Sequence, residues 1–476
     1  MIWPDGYGPP LMLFNDSRCF VPDVPTSSPH ARENVASRPV AHAGPSSNGP
    51  NAAPLEARYD SIRAQTEILC ASLEVEDYVV SSMPDVSPTK WHLAHTSWFF
   101  ETFVLAEHDA AYRAPDPRYS YLFNSYYVQA GERHCRAQRG LLTRPTVAEV
   151  YAYRAHVDDA MRRLIVSLAD DASHPAAVLI ELGLHHEQQH QELLLTDIKH
   201  VLWTNPLRPT YRAVIMASEA ETGPIDWLAF DGGIQSIGHG GDGFAFDNEA
   251  PRHRVFLEPY RFASRLVTNA EYLAFIEDDG YRRPELWLSA GLAAVQDRRW
   301  DAPLYWERGV DGRWTEFTLG GTRVLSGAAL ADPVAHVSFF EADAFARWAG
   351  CRLPTEFEWE AAARGRPVAG PFVEAGRFHP TSAVQGTAAP EQLYGDVWQW
   401  TQSAYVGYPN YRPASGAIGE YNGKWMADQW VLRGASCATP RSHARLTYRN
   451  FFPSDARWQF SGIRLAGGGA LAESRQ

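Results

Sequence analysis

The chain has 476 residues and a formal net charge of −13, with 45% apolar and 21% charged residues. This length predicts two or three folded units, and the acidic balance argues against general binding of nucleic acid or of an anionic membrane, which requires a basic face. The five cysteines are far apart and form no CxxC pair, which excludes a zinc ribbon and argues against a disulfide framework. Because no apolar run approaches the roughly 20 residues of a membrane helix, we expect a cytoplasmic protein and leave its oligomeric state open.

The N-terminal part begins with a predicted disordered leader over residues 1–52, which is rich in Pro, Ser, Asn and Ala and has no apolar period. A first helix is predicted over 55–73. A second helix is expected to begin with Ser87 as N-cap and Pro88 at the first helical position. Its inward-facing apolar stripe is interrupted by His95.

Two further helices are predicted after a long loop over 111–145. One begins near Thr146, and the other begins near Pro175 and carries His186 and His190 on one face. Four helices in this order predict a four-helix bundle, and the interior of such a bundle is a common place for metal sites.

The chain changes character beyond this bundle, where it becomes rich in Gly, Trp and short β-type runs. Helices are predicted there over 267–277 and 339–350. Short strands, many turns and few helices predict an irregular α+β domain, so the predicted fold class is α+β with two domains. The predicted segments are a leader over 1–52, a bundle over 53–205, a linker over 206–225, an α+β domain over 226–468 and a tail over 469–476.

The strongest chemical signal is the run LHHEQQH over 184–190. On a helix, His186 and His190 share one face with their Cβ atoms about 5–6 Å apart, so their imidazoles can share a divalent ion or remain hydrogen-bonded core residues. His95 interrupts the inward stripe of another bundle helix, and a buried imidazole must be hydrogen-bonded or coordinate something. The three histidines together predict a metal site.

The residues around these histidines leave alternatives open. His92, His185 and His200 lie on other faces, where we expect ordinary roles, and Glu192 is expected on the opposite side of its helix, in solvent or supporting a ligand. The same helix matches the HExxH pattern of zinc proteases, with Glu187 as general base, but the extended pattern with a third histidine fails. Three imidazoles suit Fe(II), with positions for substrate and O2, and equally Zn²⁺ with an activated water.

A second cluster lies in the loop before the third helix, where Tyr126 and Tyr127 precede Arg136 and Arg139. The tyrosines are consistent with core packing, and the arginines with a solvated loop. A phenol near a metal can also donate a proton or an electron, and guanidinium groups can capture a carboxylate through two hydrogen bonds.

Several motifs are distributed over about residues 53–466. They are WHLAH over 91–95, HEQQH over 186–190, RLPTEFEWE over 352–360, GDVWQW over 395–400, VLRGAS over 431–436 and SGIRLA over 461–466. By composition alone the C-terminal motifs are core segments without a nucleophile or phosphate loop. Through these motifs together the sequence resembles the ergothioneine-biosynthesis sulfoxide synthases, or hercynine oxygenases, which join a DinB-like helical bundle to a formylglycine-generating-type, C-type-lectin-like domain.

The resemblance implies an enzyme in which His95, His186 and His190 bind Fe(II), with O2 as co-substrate. The implied reaction forms a C–S bond between a small thiol and C2 of the imidazole of hercynine (Nα-trimethylhistidine), and it yields a sulfoxide. The implied partners are therefore small-molecule substrates.

The resemblance also implies roles for individual side chains around the iron. Gln189 is expected to contact the hercynine imidazole, and Arg136 and Arg139 to hold the carboxylate of the thiol. The motif FNSYY over 123–127 resembles the branch that supplies catalytic tyrosines from the bundle and accepts free cysteine. We therefore expect Tyr126 or Tyr127 to be catalytic, and cysteine to be favoured over γ-glutamylcysteine.

The quaternary ammonium of hercynine suits aromatic faces through cation–π attraction, and Phe451, Phe452 and Trp425 are candidates. Other functions stay open. They are a DinB-like zinc-dependent thiol transferase or hydrolase, a related synthase that forms a C–Se bond or uses histidine, and a non-catalytic lectin-like binding protein. Formylglycine generation is disfavoured, because it needs a thiolate pair and the segment over 433–449 contains only Cys437.

Overall fold

A computed structural model describes residues 53–169, 171–213, 222–383 and 389–468, so the predicted leader and tail lie outside the described residues. No helix among these residues is long and apolar enough to cross a membrane. The α-helices are α1 (Leu55–Cys70), α2 (Thr89–Phe100), α3 (Ala106–His108), α4 (Tyr119–Phe123), α5 (Val147–Ser167), α6 (Pro175–Thr204), α7 (Asn269–Glu277), α8 (Ser289–Arg298), α9 (Phe339–Trp348) and α10 (Glu356–Ala363).

Four long helices, α1, α2, α5 and α6, pack against one another around a shared apolar core. The helical N-terminal part and the sheet-rich C-terminal part confirm the predicted α+β fold class. A buried carboxylate ties three of these helices together, because Glu187 on α6 accepts hydrogen bonds from Arg63 on α1 at 2.8 Å and from Arg154 on α5 at 2.6 Å.

Local capping explains where two of the bundle helices begin. Thr146 and Glu149 form a reciprocal capping box at the start of α5, with Glu149 accepting from the Thr146 N–H at 2.6 Å. Pro175 occupies the first turn of α6, where its missing N–H costs nothing.

The cap predicted for α2 is wrong by one residue. The N-cap is Pro88, not Ser87, and no side chain caps this helix. Tertiary contacts take both polar groups of Ser87, because its N–H donates to Asp197 at 2.9 Å and its hydroxyl accepts from Arg139 at 3.0 Å.

The C-terminal half contains short strands in small sheets. The strands are β1 (Trp227–Phe230), β2 (Gly233–Ile237), β3 (His253–Leu257), β4 (Tyr260–Ala263), β5 (Trp306–Arg308), β6 (Trp314–Thr318), β7 (Gly321–Val324), β8 (Trp398–Ala404), β9 (Gln429–Gly434), β10 (Asn450–Pro453), β11 (Ser461–Gly462) and β12 (Ala466–Gly468). The order of the strands in the sheets is β1-β4-β12, β10-β9-β8-β11, β2-β3 and β5-β6-β7, and pairing is antiparallel except between β11 and β8.

Helix α6 also contacts the C-terminal half. Glu192 is buried, and its carboxylate accepts from the Trp398 indole at 2.7 Å, from the Ser436 hydroxyl and from the Thr439 hydroxyl at 3.0 Å. The expectation that Glu192 lies in solvent is therefore wrong, because the C-terminal half covers that face of α6.

Candidate metal centre

Three histidines from two bundle helices converge in the structure. His95 on α2 and His186 and His190 on α6 each offer a ring nitrogen, and these atoms all lie within 4.8 Å of one another. Nε2 of His95 and Nε2 of His186 are 3.2 Å apart. The spacing of four residues on α6 places its two rings next to each other, with their centroids 4.6 Å apart.

The protonation of these rings fits a divalent metal ion. Nδ1 of His95 donates to the Phe123 carbonyl at 2.6 Å, which leaves Nε2 as a free lone pair. Burial is the main cause that lowers the pKa of His95 and His190 well below the usual value and that of His186 to about 3. Neutral imidazole is the form that binds metals, so the three histidine side chains are suited to hold a divalent metal ion.

Aromatic side chains surround the centre on the bundle side. The rings of Trp91 and Trp98 both stack on His95, with centroid distances of 4.5 and 5.4 Å. The Phe99 ring packs on His186 at 4.5 Å. Such walls exclude water and hold the imidazoles in fixed orientations.

His92 and Asp197 support the centre from behind, which the sequence reasoning missed. Nδ1 of His92 lies 2.9 Å from Nδ1 of His190, and Nε2 of His92 lies 3.1 Å from Asp197. A carboxylate that orients a histidine is a common support for a metal ligand. The expectation that His92 has an ordinary role is therefore wrong, because His92 contacts the metal ligand His190. The only signal in the sequence is that His92 lies three residues before His95, on a neighbouring part of the same helix face.

Glu187 does not point to the centre. Its carboxylate bonds Arg63, Arg154 and Thr66, the last at 2.6 Å. Burial would raise its pKa, but the charges of Arg154 and Arg63 lower it to about 2. A general base for a metal-bound water would have to face the three histidines, so the geometry disfavours the zinc protease alternative.

The two tyrosines of the loop lie together between the bundle and the C-terminal half. Their rings stack at 4.5 Å, with the two hydroxyl oxygens 3.4 Å apart. Tyr127 is fully buried and packs on Trp98 at 5.6 Å, whereas Tyr126 meets Trp425 edge-on at 5.3 Å. Burial raises the pKa of both tyrosines, so both phenols remain protonated.

The two arginines of the loop are in different environments. Arg139 is buried, its guanidinium lies 3.4 Å from the centroid of the Trp91 ring, and its Nε has no hydrogen-bond partner among the described residues. Arg136 is exposed and donates to the Asp85 carbonyl at 2.7 Å. Of these two loop arginines, Arg139 alone is buried, and it has no ion pair among the described residues.

Gln189 connects the centre to the C-terminal half. Its Nε2 donates to the Tyr448 hydroxyl at 2.7 Å, and its Oε1 accepts from the Tyr421 hydroxyl. The Tyr421 ring meets His186 edge-on at 5.7 Å. Sequence reasoning missed both tyrosines, because they are distant in sequence and no local pattern relates them to α6.

Phe451 and Phe452 lie on β10, and their ring contacts are within the C-terminal half. Phe451 stacks on Tyr405 at 4.0 Å, and Phe452 meets Trp458 edge-on at 5.7 Å. The structure therefore does not bring either ring into contact with the three histidines in its described ring pairs. Their role in binding an ammonium group stays a prediction.

Comparisons with known proteins match both halves. Residues 58–194 match the DinB superfamily, and residues 215–392 match the sulfatase-modifying factor enzyme 1-like domain. The chain is 32% identical to hercynine oxygenase of Mycolicibacterium smegmatis (80% of this chain and 91% of the relative) and 31% identical to that of Mycolicibacterium thermoresistibile (80% and 88%). It is 30% identical to the formylglycine-generating enzyme of Streptomyces coelicolor over 46% of this chain and 83% of that enzyme. Because the first two matches span both halves, the chain belongs to the hercynine oxygenase family.

Proposed function

We propose that the protein is an O2-dependent, non-haem iron sulfoxide synthase that joins a thiol to C2 of the hercynine imidazole in ergothioneine biosynthesis. In this reaction the thiol and the imidazole each lose one hydrogen, one oxygen atom of O2 remains on sulfur, and the other leaves as water. The observation that carries the proposal is the convergence of three neutral imidazoles within 4.8 Å in a chain of this family.

His95, His186 and His190 would hold the iron. When bound, Fe(II) supplies the one-electron chemistry by which O2 oxidises the two organic substrates. The aromatic walls around the histidines would keep water away from the reaction. The described cysteines are free thiols, in keeping with the reducing, cytoplasmic location that we propose.

The side chains around the iron would orient the substrates. Arg139 carries a buried charge without a carboxylate partner, which suits the carboxylate of the thiol substrate. Gln189 is held by hydrogen bonds to Tyr448 and Tyr421 of the C-terminal half and would contact the hercynine imidazole. Tyr126 and Tyr127 form a protonated pair that can deliver a proton from the phenol oxygen during coupling.

We propose cysteine as the preferred thiol. Cysteine has one carboxylate and γ-glutamylcysteine has two, and of the two arginines in the loop only Arg139 is buried with a free donor. Arg136 is exposed and already bonded to a backbone carbonyl, so it adds little to a second carboxylate site.

The direct test is product analysis. Protein purified without oxygen and loaded with Fe(II) is mixed with hercynine, O2 and either cysteine or γ-glutamylcysteine, and products are identified by mass spectrometry. We expect the cysteine-derived sulfoxide to dominate. His200, a buried histidine elsewhere on α6, provides the matched control, because His200→Ala should retain coupling that His186→Ala abolishes.

The same experiment separates the alternatives. Turnover of thiols without O2 in the Zn²⁺-loaded protein would support a transferase or hydrolase and contradict the proposal. Parallel reactions in which selenocysteine replaces cysteine, or histidine replaces hercynine, measure whether either substitute reacts faster than the proposed substrate. Absence of any turnover would favour a binding protein.

A further inference from the structure

A chain of polar contacts leads from the edge of the bundle to Gln189. The Tyr448 hydroxyl, which accepts from Gln189 Nε2 at 2.7 Å, lies 3.1 Å from Nε2 of His443. Nδ1 of His443 lies 3.0 Å from Nδ1 of His185, and Nε2 of His185 lies 3.4 Å from a carboxylate oxygen of Glu181. We call these five side chains the positioning chain.

The carboxylate at the outer end fixes the direction of every contact in the positioning chain. Glu181 can only accept, and Arg58 donates to it at 2.6 Å. Nε2 of His185 makes no hydrogen bond among the described residues, but a lone pair 3.4 Å from this carboxylate oxygen would be repelled, so this nitrogen carries the N–H. Nδ1 of His185 is then an acceptor for the Nδ1–H of His443, which leaves Nε2 of His443 as an acceptor. Tyr448 must therefore donate to His443 and accept from Gln189.

This direction is consistent along the whole chain. Each neutral imidazole has one N–H donor and one acceptor nitrogen, so a ring that donates at one nitrogen must accept at the other. Burial lowers the pKa of His443 well below its usual value, which keeps that ring neutral. A reversed carboxamide at Gln189 would reverse each contact in turn and would place a histidine lone pair against the carboxylate of Glu181.

The carboxamide oxygen of Gln189 faces Tyr421, an aromatic neighbour of the metal centre. It accepts from Tyr421, whose ring meets His186 edge-on at 5.7 Å. A carbonyl oxygen has two lone pairs, so it can accept a further hydrogen bond from a substrate.

We propose that Glu181, His185, His443 and Tyr448 are positioning residues that hold the oxygen of the Gln189 carboxamide toward the substrate, so that the enzyme selects imidazoles with an N–H at that point. This inference rests on the function proposed above. With the carboxamide reversed, the site would instead favour an imidazole with an unprotonated nitrogen there.

The test measures binding of hercynine and of its two ring-N-methyl derivatives to the Fe(II)-loaded protein by calorimetry, without O2 or thiol. A neutral ring-N-methyl imidazole has no N–H, so the derivative whose unmethylated nitrogen faces Gln189 presents a lone pair to the carboxamide oxygen. We expect this derivative to bind about tenfold more weakly than hercynine, as for a buried acceptor left unpaired. Glu181→Gln offers a donor as well as an acceptor to His185, so this discrimination should shrink several-fold while the iron content is unchanged. Tyr448→Phe, which removes the acceptor for Gln189, should have the same effect.

The matched control is Asp60→Asn, which removes a carboxylate paired with Arg162 at 2.8 Å between two other bundle helices and should keep the wild-type discrimination. Unchanged discrimination in both Glu181→Gln and Tyr448→Phe, in a protein that still makes the sulfoxide, would overturn the positioning chain alone. Wild-type protein that neither binds nor couples hercynine would overturn the proposed function as well.

Discussion

Nδ1 of His92 lies 2.9 Å from Nδ1 of His190, and the opposite nitrogen of His92 lies 3.1 Å from Asp197. The oxygen of the Asp197 carboxylate is an acceptor and favours an N–H at Nε2 of His92, so that Nδ1 of His92 accepts a hydrogen bond from His190. Nε2 of His190 is then the nitrogen with the free lone pair. The arrangement prepares His190 as a metal ligand.

Replacing His92 should therefore weaken metal binding without removing a ligand. We expect His92→Phe to lower Fe(II) affinity by about 10–100-fold, as is usual when the partner of a metal-binding histidine is lost. Competition with a chelator under anaerobic conditions measures the affinity. Equal affinity in wild-type and variant proteins would show that His190 needs no such support, and His200→Phe controls for the loss of a buried histidine.

Removing the tyrosine hydroxyls should change the products rather than abolish oxidation. We expect Tyr126→Phe and Tyr127→Phe each to lower the sulfoxide and to raise oxidation of the thiol to its sulfinate. Because the two hydroxyls form one pair at 3.4 Å, the double variant should be no worse than the poorer single variant. Mass spectrometry of both products gives the ratio, and an unaltered ratio in all three variants would argue against a role for this pair.

Arg139 should act on the thiol and not on hercynine. Arg139→Lys keeps the charge but loses the planar fork, so we expect the KM for cysteine to rise about 10–100-fold while the KM for hercynine stays constant. Steady-state kinetics with each substrate varied in turn measures both constants. Arg136→Lys, at an exposed arginine in the same loop, should leave both constants near wild type. A parallel rise of both constants would point to a general distortion of the site.

Glu187 should act on stability in a pH-dependent way. Its pKa in the folded protein, about 2, lies below the ordinary value of 4.5, so the ionised carboxylate stabilises the fold above that ordinary value. This contribution is lost as the pH falls from 4.5 toward 2. Glu187→Gln should lower the free energy of unfolding by about 3–5 kcal/mol near neutral pH, because it removes the buried anion that Arg63 and Arg154 share.

Urea unfolding at a series of pH values measures this effect. The difference between wild-type and Glu187→Gln proteins should shrink across that acidic window. Glu67→Gln is the matched control, because Glu67 bonds the same Arg154 from a half-exposed position and should contribute less than about 1 kcal/mol. A constant difference at every pH would contradict an ionised Glu187.

The helical periodicity of the bundle can be recognised in the sequence, and it identifies His95, His186 and His190 without tertiary information. The contacts that α6 makes with the C-terminal half cannot be predicted from this periodicity. The face of Glu192 was predicted from helical phase, but its burial depends on strands that lie about two hundred residues later.

The N-cap of α2 illustrates a second limit. Serine is a residue type that favours the N-cap position. The N–H of Ser87, however, donates to Asp197, and its hydroxyl accepts from Arg139. Local propensity therefore loses to tertiary hydrogen bonds at this position, as it commonly does near functional sites.

Anaerobic binding of Fe(II) to the purified chain and to single alanine variants of His95, His186 and His190 tests the central claim most directly. We predict that the wild-type protein binds a single tightly held ion per chain, with nitrogen ligands visible by X-ray absorption, and that each of the three variants loses it. Retention of the ion with unchanged affinity in any one of these variants would contradict a metal centre built from these three imidazoles.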